Sequence, residues 1–177
     1  SQKERELAKA AENNKLQTME RLITEGVSAD AKGGKYPAVW KAANEGHLDA
    51  LKLLRRHGAN LDATNSDGMT ALIYAAWKGK ADCAEALLEW GADKDAASNT
   101  GNTALHKAAQ YGQLECARLL VRARADRAKK NNKGKTALEV ARNRGKADVT
   151  ALLEQADADV RCSAQAFPAR RCLKMPF

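Results

Sequence analysis

No stretch of the chain approaches the roughly 18 consecutive apolar residues that a membrane-spanning helix needs, which excludes a transmembrane helix. The opening Ser1-Gln2-Lys3-Glu4-Arg5-Glu6 is charged and holds no apolar signal core, so an intracellular setting is expected, cytoplasmic or nuclear, with an organelle as the alternative. Aromatic residues make up only 5% of the sequence while alanine is abundant, so the buried contacts must come from small and aliphatic side chains at close helix spacing. That composition favours helix packed on helix over a sheet. Cysteine is scarce. Cys83 and Cys116, 33 residues apart, fall on the apolar side of a helix as small core residues, and Cys162 and Cys172 lack metal-ligand spacing; they could pair, but a reducing compartment needs no such pairing.

Catalytic constellations are missing too. His47, His57 and His106 have no Ser or Cys nucleophile with a supporting acid at a recognisable spacing, and neither H-E-x-x-H nor paired C-x-x-C occurs. The glycines form no phosphate loop and no dinucleotide fingerprint. The expectation is a protein without catalytic activity, cofactor or metal.

What the sequence does contain is a period. Thr70, Thr103 and Thr136 each open a T-A-L triplet, 33 residues apart, and the same shift superimposes Gly68 on Gly101 and Gly134, and Gly46 on Gly79, Gly112 and Gly145. A fixed period of this size marks a stack of identical small units, a quasi-one-dimensional array without one central core. The unit is legible around residues 38 to 58. Val39, Ala42 and Ala43 lie at i, i+3 and i+4 on one stripe of a short helix, and Gly46 ends it where a left-handed residue does so most cheaply. Asp49 stands in the first turn of a second helix, as do Asp82, Glu115 and Asp148 later, each favourably placed against the helix dipole. Leu48, Leu51 and Leu54 line its inner stripe and Gly58 stops it. Turn-forming Asn65-Ser66-Asp67-Gly68 precedes Thr70, whose hydroxyl can cap the next helix. The expected fold is an all-α solenoid of helix-turn-helix units joined by short turn or hairpin loops.

These units resemble ankyrin repeats. Thr103-Ala104-Leu105-His106-Lys107-Ala108-Ala109, followed by Gly112, Leu119-Leu120 and Ala125-Asp126, carries most of that family's pattern. The resemblance covers residues 4–160 as five repeats, about 4–31, 32–64, 65–97, 98–130 and 131–160, with an extended C-terminal tail over 161–177. The departures are informative. Ala71, Ala104 and Ala137 replace the family's proline, keeping a good helix former. His106 alone retains the family's histidine, whereas Trp40, Ile73 and Glu139 occupy that position elsewhere, so a hydrogen-bond ladder through it must be interrupted. Arg124 and Asp157 stand where the family has glycine, and since a left-handed cap there costs about 1 kcal/mol, the fourth and fifth units are expected to end differently.

In the ankyrin family the turn tips and exposed ends of the first helices form a concave groove that binds partners. Carried onto this chain position by position, that groove comprises Tyr36, Met69, Tyr74, Trp77, Lys78, Asn102, Lys107, Gln110, Tyr111, Lys135, Asn143 and Arg144. Trp77 and Tyr111 stand out, because large amphipathic aromatics dominate interface energetics, although either ring could instead lie flat on a neighbouring unit. Trp90 is a weaker candidate of the same kind.

The net charge of +8 is unevenly distributed: residues 118 to 146 hold 11 basic and 2 acidic side chains, and the rest of the chain is nearly balanced. The basic run consists of Arg118, Arg122, Arg124, Arg127, Lys129, Lys130, Lys133, Lys135, Arg142, Arg144 and Lys146. The leading expectation is therefore a protein-interaction module or structural subunit, monomeric by itself, whose groove holds a protein partner and whose basic end meets an acidic surface. Nucleic-acid or anionic-ligand binding through the fourth and fifth repeats competes with it, with an aromatic ring available to stack a base. A third reading is a peripheral subunit of a large organellar or membrane assembly, docked through Phe167, Leu173, Met175 and Phe177. The same four residues would otherwise fold back to cover the last repeat.

Overall fold

The computed structural model describes residues 1–30 and 36–165, with side chains through Asp159. Among them the chain forms ten helices and no strand: α1 (Gln2–Glu12), α2 (Leu16–Thr24), α3 (Ala38–Glu45), α4 (Leu48–Arg56), α5 (Ala71–Lys78), α6 (Ala81–Glu89), α7 (Ala104–Tyr111), α8 (Leu114–Arg122), α9 (Ala137–Asn143) and α10 (Ala147–Gln165). They pair as the period implies, a first and a second helix per unit. α10 continues to Gln165, past the boundary at 160 where an extended tail was expected to begin. Phe167, Leu173, Met175 and Phe177 lie outside the described residues, as does the link over 31–35.

Local chemistry sets the helix ends. Thr70, Thr103 and Thr136 are extended N-caps whose hydroxyls accept the N–H groups of Ile73, His106 and Glu139. In the second, third and fourth units Gly46, Gly79 and Gly112 close the first helix in the left-handed conformation. Arg124 corrects one expectation. It adopts the left-handed conformation itself, at φ 57°, just as Gly58 and Gly91 do one and two units earlier. A Cβ at Gly58 or Gly91 would meet nothing within 4 Å, so the position demands only the torsion, and a side chain that accepts its cost fits. At Asp157 the other expectation holds, because α10 runs through it without a stop.

The first helices stack in one row, α1 to α3 to α5 to α7 to α9, and approach one another more closely than do α2, α4, α6, α8 and α10 in the second row. Alanine makes the close row possible: Ala10-Ala11, Ala42-Ala43, Ala75-Ala76 and Ala108-Ala109 are all buried between helices. In α9 the second alanine is replaced by exposed Arg142, whose guanidinium pairs with Glu154 at 2.7 Å. Leu22, Leu54, Leu87 and Leu120 form a buried aliphatic row between the two layers. Cys83 and Cys116 join it, buried and unpaired, and burial holds both thiols up at about 11, unreactive.

Loops are stitched from unit to unit. On one side Asp62 and Asp95 carboxylates accept the backbone N–H groups of Asp93 and Asp126 at 2.9 and 2.7 Å. At the turn tips the Asn132 amide donates to the Asn99 carbonyl at 2.9 Å and the Asn99 amide to the Ser66 carbonyl at 3.1 Å. The surface positions are thereby held on a rigid register.

Candidate interaction surface

Five aromatic rings run in sequence along the first-helix row. Tyr36 stacks on Trp40 with centroids 4.1 Å apart, Trp40 meets Tyr74 edge-on at 4.1 Å, Tyr74 lies 5.0 Å from Trp77, and Trp77 lies 5.6 Å from Tyr111. They are not equally available. Trp40 and Tyr74 are buried, Tyr36 and Trp77 half-buried, and Tyr111, at 41% exposure, is the one exposed large hydrophobic among the described residues. The alternatives weighed for Trp77 and Tyr111 thus merge: each ring packs against a neighbour and still shows a face. Tyr74 and Met69, both assigned to the groove from sequence, are buried and serve as its floor. Burial also raises the Tyr74 phenol to about 12, so it stays protonated.

Trp40 is the residue that position-by-position mapping missed. It replaces the family's histidine, and its indole Nε1 is buried without a hydrogen-bond partner. His106 shows what that position does when histidine occupies it. Nε2 lies 3.0 Å from the Lys135 carbonyl, one unit further on, and since a carbonyl only accepts, Nε2 carries the proton. Nδ1 is then the acceptor for the Thr103 N–H at 3.3 Å and the Thr103 hydroxyl at 2.9 Å. Burial lowers the His106 pKa, with the Lys135 carbonyl pulling the other way, so the ring is a neutral tie between repeats. Glu139 caps Thr136 instead, its carboxylate accepting the Thr136 N–H at 2.7 Å, which confirms the interruption of the ladder.

Lysines sit over the rings. Lys41 Nζ is 5.6 Å from the centroid of the Tyr36 ring, and Lys78 and Lys107 Nζ lie over the Trp77 ring, 4.7 and 5.3 Å from its centroid. The Gln113 amide donates to the Trp77 carbonyl at 3.2 Å and fixes the end of that helix. Burial lowers the Lys107 pKa. Beyond Trp77 the lining changes character. Asn102, Lys107, Gln110, Lys135, Asn143 and Arg144, all assigned to the groove from sequence, line one open depression of about 380 Å³ together with Asn131, Asn132 and Lys133.

The basic run does not form one patch. Arg118 pairs with Glu115 at 3.6 Å, Arg127 with Asp157 at 2.9 Å and Arg142 with Glu154, while the Lys129 ammonium donates to the Asp95 carbonyl at 2.7 Å. Arg122 and Arg124 border a separate depression that also contains Asp126, Asp157 and Asp159. The Lys146 stem covers Gly112. Lys130 is exposed. Only Lys133, Lys135 and Arg144 reach the groove. Trp90, away from this face, carries Arg55 over its ring at 4.8 Å.

Antiparallel helix pairs stacked through alanine, with an aromatic and polar face along the turn tips, define a helical repeat protein that offers an extended surface. Ankyrin repeats, in a three-copy model, match residues 7–98 and again 93–164, and the chain belongs to the ankyrin repeat family. Repeats of this family generally mediate protein–protein interaction and are generally non-catalytic. No described helix is long and apolar enough to cross a membrane.

Proposed function

We propose that the chain is a protein-interaction module that holds its partner in the groove formed by the turn tips and first-helix ends of the second to fifth repeats. The observation that carries this reading is convergence. Positions that differ from unit to unit, Trp77, Lys107, Gln110, Tyr111, Lys135 and Arg144 among them, share one face, while the positions that repeat are buried in caps and alanine contacts. A rigid scaffold with its chemical variety on one side is the arrangement of a binding surface. Crosslinking mass spectrometry of the full chain in native extract tests it. Crosslinks to a partner should concentrate on Lys78, Lys107, Lys133 and Lys135, and a partner crosslinked instead through Lys52 and Lys94 would place the interface elsewhere.

Nucleic-acid binding has one observation in its favour, the four groove cations of the fourth and fifth repeats, Lys107, Lys133, Lys135 and Arg144. The remaining cations of the basic run are divided among several faces and partly neutralised, which does not favour the continuous track a polynucleotide backbone needs.

A further inference from the structure

Resting on the groove reading above, we infer that the occupant is an extended acidic peptide segment with one large apolar side chain, the apolar group seated on Trp77 and Tyr111 and its carboxylates in the depression between the fourth and fifth repeats. Rings in a row commonly suggest a site for a cation. Here that role is filled internally, because Lys78 and Lys107 both stand over Trp77. A cationic ligand would meet two ammonium groups at the ring it needs, whereas an anionic one finds them waiting.

The pairing of charges across the array points the same way. Arg118, Arg127 and Arg142 have carboxylate partners, but Lys133, Lys135 and Arg144 have no ion pair among the described residues. Arg122 and Arg124 also lack an ion pair among the described residues, but they share their depression with Asp126, Asp157 and Asp159, and Arg55 and Arg56 flank Trp90 away from this face; along the first-helix face the unpaired cations gather in the groove. No acidic residue lines that depression, and Glu139, the acid in the first turn of α9, is engaged with Thr136. The side chains of Gln110 and Asn143, also in the lining, form no hydrogen bond among the described residues and so keep donors and acceptors for a peptide backbone. Neighbouring first helices lie about 10 Å apart. At about 3.3 Å per residue an extended chain covers that spacing in roughly three residues, which sets the separation between apolar anchor and acids.

Display selection of random peptides of about 12 residues on the full chain tests this, since that length crosses the groove. The expected winners carry Asp or Glu about three residues from a Trp, Phe or Leu. Their affinity should fall on the order of tenfold in Lys133→Glu/Lys135→Glu and by at least as much in Tyr111→Ala. All three residues are exposed, and thermal unfolding of each variant verifies that the stack persists. Winners without acidic bias that still need Tyr111 would overturn the acidic segment and leave the groove reading standing. Peptides indifferent to every groove substitution, or no winners at all, would overturn both. A single-stranded oligothymidylate that displaces the peptides at lower concentration would overturn the inference in favour of nucleic acid.

Discussion

The ring-lined half of the groove, on α3 and α5, and the cation-lined half, on α7 and α9, share one backbone template and almost no side-chain chemistry. One position reads Tyr36, Met69, Asn102, Lys135 along the stack, and another reads Asn44, Trp77, Gln110, Asn143. Between them the template varies little: threonine caps α5, α7 and α9, the alanine pair is buried in α3, α5 and α7, and a left-handed glycine closes the same three helices. Fold and surface chemistry are therefore carried by different residues of the same short helices. The first helix row can be rewritten on its exposed edge without touching its contacts.

The strongest way to break the comparison is to damage the joint inside the cation-lined half, where the turn before α7 meets the turn before α9. A Cβ at Gly101 would sit 2.7 Å from the Asn132 backbone nitrogen at a φ of +73°, so Gly101→Ala combines torsional strain with overpacking and should cost about 3 kcal/mol. Gly134, at φ +70° but with nothing within 4 Å of that Cβ, should lose only about 1 kcal/mol on the same change. Urea unfolding of the two variants gives the contrast directly.

A smaller effect comes from His106, which ties the fourth repeat to the fifth. His106→Ala should cost about 2 kcal/mol through its lost hydrogen bonds and buried volume. Its pKa is lowered in the folded chain from an ordinary 6.5, so the unfolded state binds the proton first as pH falls. The contribution of this ring is whole above that value and drains away below it, until the folded pKa is reached. The wild-type melting temperature should drop on going from about pH 7.5 to 5.5, and the drop should shrink in His106→Gln; an identical slope in both would remove His106 as its source.

Arg124→Gly sharpens the comparison between units in the stabilising direction. It relieves a left-handed arginine where Gly58 and Gly91 stand earlier, and should gain up to about 1 kcal/mol in thermal unfolding. The smallest stability effect belongs to the surface itself. Tyr111→Ala should change the unfolding free energy by less than about 1 kcal/mol, because the ring, 41% exposed, lies at the surface and its loss opens no enclosed cavity.

Most of the fold was legible because its signals are local and repeated. The threonine that opens each T-A-L, the glycine that follows the first helix and the acid in the first turn of the second helix recur at one spacing over the later units, and each has a single physical meaning. The groove was legible only in outline. Position within a unit located Trp77 and Tyr111, but it could not tell that Met69 and Tyr74 sink into the floor, nor that Trp40 completes the row of rings, since those outcomes depend on contacts between units. The basic run misled for a related reason. Charges adjacent in sequence alternate among turn tips, second helices and loops, so the apparent patch divides among faces, and the partners of Arg127 and Arg142 come from α10. A helical wheel for each second helix, compared with the turn positions, would have separated Arg118 and Arg122 from Lys133 and Lys135.

The most direct test of the separation between template and surface is a matched pair of charge reversals read against one bound partner peptide. Lys133→Glu/Lys135→Glu alters the groove, and Arg118→Glu/Arg122→Glu places the same change in charge on α8. With both variants melting close to wild type, the groove pair should lose on the order of tenfold in affinity while the α8 pair stays within about twofold. Equal losses in the two variants, or a larger loss from the α8 pair, would contradict the account.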